Sequence, residues 1–342
     1  MKEFTLTRTE VCDIASAMNG VKIAVIGDVC LDIYWRADMK KSRLSRETPH
    51  YPLPVVSEVF SPGAGGNVIN NLAALSPAKL MPISVVANDW RGFLLTQYFT
   101  DHGISTDFLV TRQTGLTPAY AKPIRLGISE VVYEDPRLDF ENFKPLDVET
   151  ETKLIAMLDD IAKACDVIAV TDQFTYGVVT PAIRAKLAEI AKTTPVIADS
   201  RDRIGDFTGV IVKPNEVETA AALGMDITSR DTTMSDYAEL ATALQKMKKA
   251  PVIVTLGDKG AIWCDGSEPI YAPTVKARGE TDIVGAGDTF LSAFSAAYAA
   301  TGDGGKSLAF ANLASAVTVK KIGTTGTATR QEILAKWEEY YA

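Results

Sequence analysis

The sequence is poor in the residues from which common catalytic and metal sites are built. It has two histidines, His50 and His102, so a histidine metal site or a Ser-His-Asp triad is not expected. The four cysteines are scattered without a CxxC pair, which argues against zinc and disulfide frameworks and indicates reduced thiols. No apolar run reaches the length of about 18 residues that a membrane span needs, and the first residues lack a signal peptide's apolar core. We therefore expect a cytoplasmic protein with no membrane association.

Positive charge is also scarce. Lysine and arginine total 35 against 43 acidic residues, a formal net charge of −8. Such a balance argues against nucleic acid as a partner. Apolar residues make up 46% of the chain, which suits a globular enzyme with a large core. A phosphate-bearing ligand must therefore be held by local donors rather than by a basic surface.

The order of apolar runs predicts an α/β fold. From about residue 150 onward, short β-branched runs alternate with helical segments, which is typical of a mostly parallel central sheet with helices on both faces. Two polar, β-rich segments interrupt this rhythm, 36–60 and 117–135, and we expect them to form a small β-sheet lid. The large domain would then comprise 1–35, 61–116 and 136–342. Ligands in such folds bind beyond the carboxyl ends of the strands.

The stretch DIVGAGDTF, residues 282–290, has the character of an anion site. Gly285, Ala286 and Gly287 leave backbone N–H groups uncovered, and the apolar run after them indicates a buried helix. A helix N-terminus of this kind attracts anions. Asp288 would repel an anion unless it has a chemical task, and its alternative role is to cap the helix.

Other glycine-rich motifs do not match their templates. ATGDGGKS (300–307) has Ala300 where a P-loop needs its first glycine, and it follows a helix instead of a strand. Neither GAGGN nor GAGDTF has the GxGxxG spacing of a dinucleotide site after the first strand. A nicotinamide-dependent oxidoreductase is therefore not expected.

Five motifs in order resemble those of the ribokinase-like (PfkB) sugar kinases. They are GD…LD at 27–32, PGAGGN at 62–67, NxxE at 215–218, TLGxxG at 255–260 and GAGD at 285–288. The resemblance runs from about residue 21 to 330. It implies transfer of the γ-phosphoryl group of ATP to a sugar hydroxyl, with Mg²⁺ and often a monovalent cation such as K⁺.

The resemblance also implies roles for individual residues. Asp288 would be the general base, and the backbone of 285–287 would stabilise the transferred group. The family's sugar contacts map to Asp28 and Asn67, with the backbone of Gly65 and Gly66 as a further contact. Asp28 and Asp32, just past the first strand, could also bind adjacent sugar hydroxyls as a pair of carboxylates, and a solvated loop pair is the alternative. The expected nucleotide contacts are Asn215, Glu218, Thr255, Gly257 and Asn312, with Glu218 holding magnesium through water and Asp282 a monovalent cation. Helix capping and strand-ending turns are the alternatives for Asn215, Glu218 and Gly257, and a partly exposed helix position for Asn312.

A narrower resemblance concerns the substrate. GDVCLDIYW (27–35), SRETPHYPLPVV (45–56) and PTVKARGETDIVGAGDTF (273–290) are similar to the heptose 7-phosphate kinase branch, which implies a phosphorylated heptose as acceptor. Two positions depart from that branch. Ile33 stands where arginine is expected, and DSRDR (199–203) replaces Asp-Pro-Lys, so Arg201 or Arg203 would supply the missing charge.

The lid segment supports an anionic acceptor independently. It carries a basic cluster, which we define as Arg36, Lys40, Lys41, Arg43 and Arg46, against one acid, Asp38. A solvated lid face or a dimer contact is the alternative. We expect a homodimer through the lid. Another sugar, a nucleoside on the same fold, or a catalytically inactive sugar-binding or regulatory protein remain alternative functions.

Overall fold

The computed structural model describes residues 1–127, 129, 132–225, 232–276, 279–323 and 325–342. Three residues of the expected lid (128, 130 and 131) and the pair 277–278 of the heptose-kinase-like segment lie outside this part of the chain. Within it, no helix is long and apolar enough to cross a membrane.

The described strands are β1 (Lys2–Glu3), β2 (Lys22–Gly27), β3 (Val29–Asp38), β4 (Val55–Ala64), β5 (Lys79–Ala87), β6 (Leu109–Arg112), β7 (Ala119–Leu126), β8 (Tyr133–Glu134), β9 (Leu138–Phe140), β10 (Val167–Asp172), β11 (Val196–Ser200), β12 (Ile211–Val212), β13 (Val252–Thr255), β14 (Ala261–Cys264) and β15 (Ile270–Ala272). The described helices are α1 (Arg8–Ala17), α2 (Gly65–Ala74), α3 (Trp90–Asp101), α4 (Val148–Ala162), α5 (Pro181–Ile190), α6 (Glu216–Ala222), α7 (Met234–Lys248), α8 (Ala286–Thr301), α9 (Gly304–Thr318) and α10 (Arg330–Tyr341).

The large sheet has the order β1-β15-β14-β13-β12-β11-β10-β2-β5-β6. Every adjacent pair from β13 through β12, β11, β10, β2 and β5 to β6 is parallel. The pairs β13–β14 and β14–β15 are antiparallel. The expectation of a mostly parallel central sheet is confirmed.

Both faces of this sheet are buried because its strands carry apolar residues at successive positions. In β2, Ile23 and Val25 belong to one core, while Ala24 and Ile26 belong to the other. The first core is covered by α1, α2, α8, α9 and α10, and the second by α4, α5, α6 and α7. Alternation along an extended strand sends neighbouring side chains to opposite faces, so an unbroken apolar run indicates burial on both sides.

A second, smaller sheet has the order β4-β3-β7-β8, with β9 also paired to β7. It includes parts of both segments expected to form the lid, 36–60 and 117–135. It is also larger than expected, since β3 begins at Val29 and β9 ends at Phe140. We use the name lid for this sheet. Its strand β3 starts two residues after β2 ends, so the lid grows directly from the centre of the large sheet.

The turn between β2 and β3 depends on close backbone packing. A Cβ added at Gly27 would lie 2.0 Å from the carbonyl oxygen of Thr171 on the neighbouring strand β10. The Asp28 amide donates to that same carbonyl at 3.0 Å. Only glycine fits this approach, and the chain can therefore leave one sheet and enter the other here.

The P-loop-like run has a structural explanation. Its Gly304 is the first residue of α9, and a Cβ there would lie 2.2 Å from the ring of Trp263. The glycine allows the helix to pack on the indole, in agreement with the expectation that this run is not a phosphate loop.

Candidate active site

Polar residues collect where the parallel strands end, at one edge of the large sheet. They follow or terminate β2, β10, β11, β12 and β13, and they are Asp28, Asp172, Asp199, Lys213 and Thr255. The N-terminus of α8 faces the same edge: the Lys213 ammonium lies 3.9 Å from the position that a Cβ on Gly287 would take. Lys213 also pairs with Asp199 at 3.0 Å. This edge therefore forms one polar cleft.

Asp288 lies in this cleft, in the first turn of α8. Its Oδ2 accepts a hydrogen bond of 2.8 Å from the Asn67 side-chain amide. Burial raises the pKa of Asp288 to about 7, with Asp199 and Asp32 adding to the rise and Asn67 and Lys213 opposing it. Near neutral pH this carboxylate can therefore both take up and release a proton.

The backbone before Asp288 is only partly uncovered. Gly285 caps α8 with φ 78°, and a Cβ on it would lie 2.7 Å from the Asn67 amide nitrogen, so glycine is required here. The Ala286 amide donates to the Ile283 carbonyl at 3.1 Å. This corrects the expectation of three free donors, because a turn before the helix already uses one. The structure shows no partner within the described residues for the amides of Gly285 and Gly287.

Asp32 is a buried carboxylate with an unused acceptor. It lies on β3, 5% exposed, and its Oδ1 has no hydrogen-bond partner in the described part of the chain. The Lys122 ammonium lies 3.6 Å from its Oδ2 and also donates to the Tyr34 hydroxyl at 3.1 Å. Burial raises the pKa of Asp32, and Lys122 opposes the rise. A buried acceptor without a donor is costly, so Asp32 is suited to receive a ligand hydroxyl.

Asp28, by contrast, uses both carboxylate oxygens to hold the protein backbone. Its carboxylate accepts the amides of Gln173, Phe174 and Val178 at 2.8, 2.7 and 2.6 Å, and it is 2% exposed. Burial raises its pKa to about 6 although these amides favour the ionised form. The expectation that Asp28 grips a sugar hydroxyl is therefore corrected: it anchors the loop that follows β10.

Gly65 and Gly66 serve packing at the start of α2. A Cβ on Gly65 would lie 2.3 Å from the Thr171 hydroxyl, and one on Gly66 would lie 2.8 Å from the Pro62 side chain. The Gly65 amide already donates to the Asp28 carbonyl at 2.7 Å. Both glycines are buried. This corrects the expectation of a sugar contact through the Gly65 amide, and the residue that α2 directs at Asp288 is Asn67.

The two arginines after β11 differ in availability. Arg203 pairs with Asp172 and donates to the Phe174 carbonyl at 2.6 Å, so it braces the loop that holds Asp28. The Arg201 side chain is exposed and shows no hydrogen bond or ion pair within the described residues. Burial raises the pKa of Glu218 and of Tyr120, and the charge of Arg201 opposes both rises. Arg201 is therefore the arginine that remains free at the cleft.

Asn215 and Glu218 form a capping box on α6. Asn215 Oδ1 accepts the Glu218 amide, and Glu218 Oε2 accepts the Asn215 amide, both at 2.8 Å. Burial raises the pKa of Glu218, Asp199 adds to the rise, and Lys213 opposes it. The helix-cap alternative is thus observed, and the other carboxylate oxygen of Glu218 remains for a further ligand. Thr255 lies beside the cap, with its amide donating to the Pro214 carbonyl at 3.0 Å.

A cavity of about 510 Å³ opens next to the α8 N-terminus. Gly257 and Val275 line one side, and Ala286, Ser315 and Ala316 line the other. Asn312 is not among the lining residues. Its amide donates to the carbonyls of Ala272 and Pro273 at 2.9 and 3.3 Å. The expectation for Asn312 is corrected because this amide is consumed inside the protein, one turn before the residues that reach the cavity.

Asp282 braces the loop that leads into α8. Its two carboxylate oxygens accept the amides of Val284 and Gly323, each at 3.0 Å. Within the described residues there is no group of three or more His, Cys, Asp or Glu side chains that could hold a metal ion. A cation at Asp282 would therefore depend on backbone oxygens and share the carboxylate with these amides.

Sequence reasoning missed three residues of the cleft: Lys122, Asp199 and Lys213. Lys213 carried a usable signal, since it stands at the end of a β-branched run directly before Pro214 and Asn215. Lys122 did not, because its partnership with Asp32 depends on the pairing of β3 with β7.

The family model for the pfkB family carbohydrate kinases matches residues 22–330, which include the whole cleft. This chain is a pfkB-family carbohydrate kinase. The expected family is confirmed.

Curated relatives of this kinase carry the name Bifunctional protein HldE. The protein from a Nitratiruptor species is 32% identical over 324 residues, which are 93% of this chain and 64% of that protein. The protein from Trichlorobacter lovleyi is 30% identical over 332 residues, 92% of this chain and 62% of that protein. The kinase thus spans less than two thirds of the length of these relatives.

Solved structures show the fold of the kinase to be ribokinase-like. Arabidopsis thaliana ribokinase complexed with ribose and ATP superposes with a TM-score of 0.71 at 20% identity, over 93% of this chain and 98% of that one. Escherichia coli phosphofructokinase-2 in complex with potassium gives 0.71 at 17% identity, over 94% and 100%. At these identities the similarity supports a shared fold and nothing further.

Asp28→Asn tests the anchoring role of Asp28. An amide presents N–H groups to the three backbone donors, so we expect a loss of about 1–3 kcal/mol in the free energy of unfolding. Chemical denaturation would measure it. Asp202→Asn, at an exposed position in the same region, is the control and should leave the stability unchanged. Equal stabilities of the two variants would contradict the anchoring role.

Proposed function

We propose that this kinase transfers the γ-phosphoryl group of ATP to a hydroxyl of a phosphorylated sugar of the heptose 7-phosphate type. The observation that carries the proposal is Asp288: a half-buried carboxylate in the first turn of a helix, hydrogen-bonded to Asn67 at 2.8 Å, with a pKa raised to about 7. A base of this strength is suited to a hydroxyl acceptor near neutral pH.

In the proposed reaction, Asp288 takes the proton of the acceptor hydroxyl as that oxygen bonds to the γ-phosphorus of ATP. The bond from the γ-phosphorus to the β–γ bridging oxygen breaks, and ADP leaves with that oxygen. Asn67 holds one carboxylate oxygen, which leaves Oδ1 for the hydroxyl. The amides of Gly285 and Gly287 and the Lys213 ammonium provide positive charge beside it. Charge on the transferred group spreads over its oxygens, so fixed donors here lower the barrier.

The cleft also has groups suited to bind the nucleotide and its metal ion. ATP supplies the phosphoryl group, and Mg²⁺ neutralises charge on the phosphates. The cavity beside Gly257 and Ala316 is large and mostly apolar, as a nucleobase site requires. The free oxygen of Glu218 is a hard donor of the kind that Mg²⁺ prefers, so Glu218 would hold the metal ion through a bound water. Asp282 would hold a monovalent cation such as K⁺ only together with backbone oxygens.

Charge supports a phosphorylated acceptor. The Oδ1 of Asp32 awaits a hydroxyl donor, and Arg201 stands free at the same cleft. The basic cluster of 36–46 is exposed throughout, with only Lys41 near an acid, 3.8 Å from Asp38, among the described residues. The curated relatives named HldE agree with the heptose-branch resemblance of the sequence. All four cysteines are free, which fits a cytoplasmic enzyme.

The decisive experiment measures Mg²⁺-dependent ADP release from ATP over a panel of acceptors. The panel holds heptose 7-phosphate, hexose phosphates, free hexoses, ribose and adenosine. Turnover confined to phosphorylated sugars supports the proposal. Turnover on a free sugar or on adenosine would show that the acceptor is not a phosphorylated sugar. ATP binding without ADP release on any acceptor would favour the inactive sugar-binding alternative.

Asp288→Asn tests the base. The amide retains the shape of the side chain but cannot take a proton, so kcat should fall by about two to four orders of magnitude. ATP affinity, measured by calorimetry, should stay near that of the parent enzyme. Asp160→Asn, on the exposed side of α4, should behave as the parent. A fall in kcat of less than about tenfold would assign Asp288 to helix capping.

The pH profile gives an independent test. A raised pKa means that Asp288 becomes protonated as the pH falls through about 7, and a protonated base is inactive. We expect kcat/KM for the acceptor to be level above about pH 8 and to drop about tenfold per unit below about pH 6. A profile that stays level down to about pH 5 would contradict the assignment.

We also propose that the kinase forms a homodimer through its lid. Strand β4 is an edge strand of the second sheet and exposes Val55, Val56 and Val59. An exposed apolar edge strand is a site for association with another chain. A related fold, Escherichia coli phosphofructokinase-2, has been solved in a tetrameric form.

Val56→Arg tests this interface, because a buried charge at a shared strand edge opposes association. Sedimentation velocity should show a dimer for the parent and a monomer for the variant. Val148→Arg, at an exposed apolar position on α4, should remain dimeric. A monomeric parent, or an unchanged mass in Val56→Arg, would contradict the proposal.

A further inference from the structure

Behind Asp288 lies a chain of buried polar side chains that links α2 to α8. Asn67 and Asn71 are one turn apart on α2, and Thr289 follows Asp288 on α8. Asn67, Asn71 and Thr289 are 1%, 2% and 1% exposed. Polar groups so deeply buried beside a reactive carboxylate need a reason, since apolar side chains could fill the same space.

The donor-to-acceptor direction of these hydrogen bonds is fixed by Asn71. The Asn71 amide nitrogen donates to the Asn67 main-chain carbonyl at 3.0 Å, and a carbonyl can only accept. The nitrogen's second hydrogen then bonds to Asn67 Oδ1 at 3.1 Å. Because Asn67 Oδ1 faces Asn71, the Asn67 amide nitrogen must face Asp288, where it donates to Oδ2 at 2.8 Å. A flipped Asn67 would place its carbonyl oxygen against the carboxylate.

Thr289 completes the link. Its hydroxyl donates to Asn71 Oδ1 at 3.1 Å, so both ends of the Asn71 amide are used. Its amide donates to the Gly285 carbonyl at 2.9 Å as part of α8. The rotamer of Asn71 is thereby tied to the helix that carries Asp288.

Asp288 depends on this arrangement because little else holds it. Asn67 provides the one hydrogen bond that its carboxylate makes within the described residues. The charged groups that face it are Asp32 from β3, Asp199 from β11 and Lys213 from the end of β12. Two of these three repel it, so the hydrogen bond from Asn67 is what fixes the direction of the carboxylate.

We propose that Asn71, supported by Thr289, is a positioning residue that fixes the side-chain amide of Asn67 and through it the carboxylate of Asp288. The proposal rests on the proposed role of Asp288 as the base. Asn71 itself touches neither substrate nor reacting atoms. Its effect should appear in kcat and in the pH profile, and the affinity for ATP should be unaffected.

Asn71→Leu removes both polar ends at nearly constant volume. We expect kcat to fall about ten- to hundredfold, as for a misplaced catalytic group, with KM for ATP within about twofold. The acid limb of the kcat/KM profile should move to higher pH, because the Asn67 bond that favours the ionised form is weakened. Asn70→Leu is the matched control. Asn70 is the neighbouring residue on α2. Its side-chain oxygen accepts a hydrogen bond of 3.3 Å from the Tyr98 hydroxyl, and it takes no part in the hydrogen bonds that join Asn67, Asn71 and Thr289.

A double-variant cycle separates positioning from packing. If Asn71 acts through Asn67, then Asn71→Leu should cost nothing further in kcat once Asn67→Leu is present. A second set of variants applies if Asn71→Leu does not fold. Thr289→Val should lower kcat about three- to tenfold, as expected for one lost hydrogen bond, while Thr289→Ser should match the parent.

An additive kcat loss in the cycle would overturn the proposal, as would an Asn71→Leu variant with the parent's kcat and acid limb. Equal kcat for Thr289→Val and Thr289→Ser would also overturn it. A failure of this proposal can be told apart from a failure of the proposed function. If Asp288→Asn kept the parent kcat, the proposed base would fail first, whereas a strong Asp288→Asn effect beside a silent Asn71→Leu would reject only the positioning role.

Discussion

The buried carboxylate of Asp28 is the interaction on which the rest of the site depends. It accepts three backbone amides of the loop after β10. Its own amide donates to the Thr171 carbonyl, and its carbonyl accepts the amide of Gly65 at the start of α2. One residue therefore joins two strands of the large sheet, the first strand of the lid and the helix that carries Asn67. Asp32 and Asn67 reach the same cleft because both chain segments leave from this junction.

The electrostatics of the cleft follow from several carboxylates that lie close together where the protein excludes much of the water. Asp32, Asp199 and Asp288 share it with the half-buried Lys122 and the buried Lys213. Desolvation and mutual repulsion raise the pKa of Asp288 toward neutrality, and the lysines limit the rise at Asp32 and Asp288. On a chain of net charge −8, an anionic substrate can approach only where arginine and lysine stand locally free, as Arg201 and the exposed basic cluster do.

The sequence was sufficient to predict the fold, and the structure brings the motif residues Asn67 and Asp288 together. The apolar runs of the central strands and the glycines before Asp288 are local sequence patterns, and a local pattern predicts the strand or helix that its own residues form. Roles within the site were harder to predict. Asp28 and Asp32 look equivalent in GDVCLD, yet both carboxylate oxygens of Asp28 accept backbone amides and Oδ1 of Asp32 has no partner among the described residues. That difference arises from a loop about 145 residues further along the chain, which no local pattern contains. The same holds for Asn312, whose amide is taken by distant carbonyls.

Several groups in the cleft serve the fold and the proposed chemistry at once. Asn215 and Glu218 cap α6 with one side of each side chain and leave the other side toward the cleft. Asn67 receives a bond from Asn71 and gives one to Asp288. Such double use keeps the reactive groups in place before any ligand binds, so less reorganisation is needed at the moment of reaction. It also explains why the helix-cap interpretation and the catalytic one do not exclude each other. A side chain that caps a helix with one atom is held in a fixed orientation, and its other polar atom can bind a ligand.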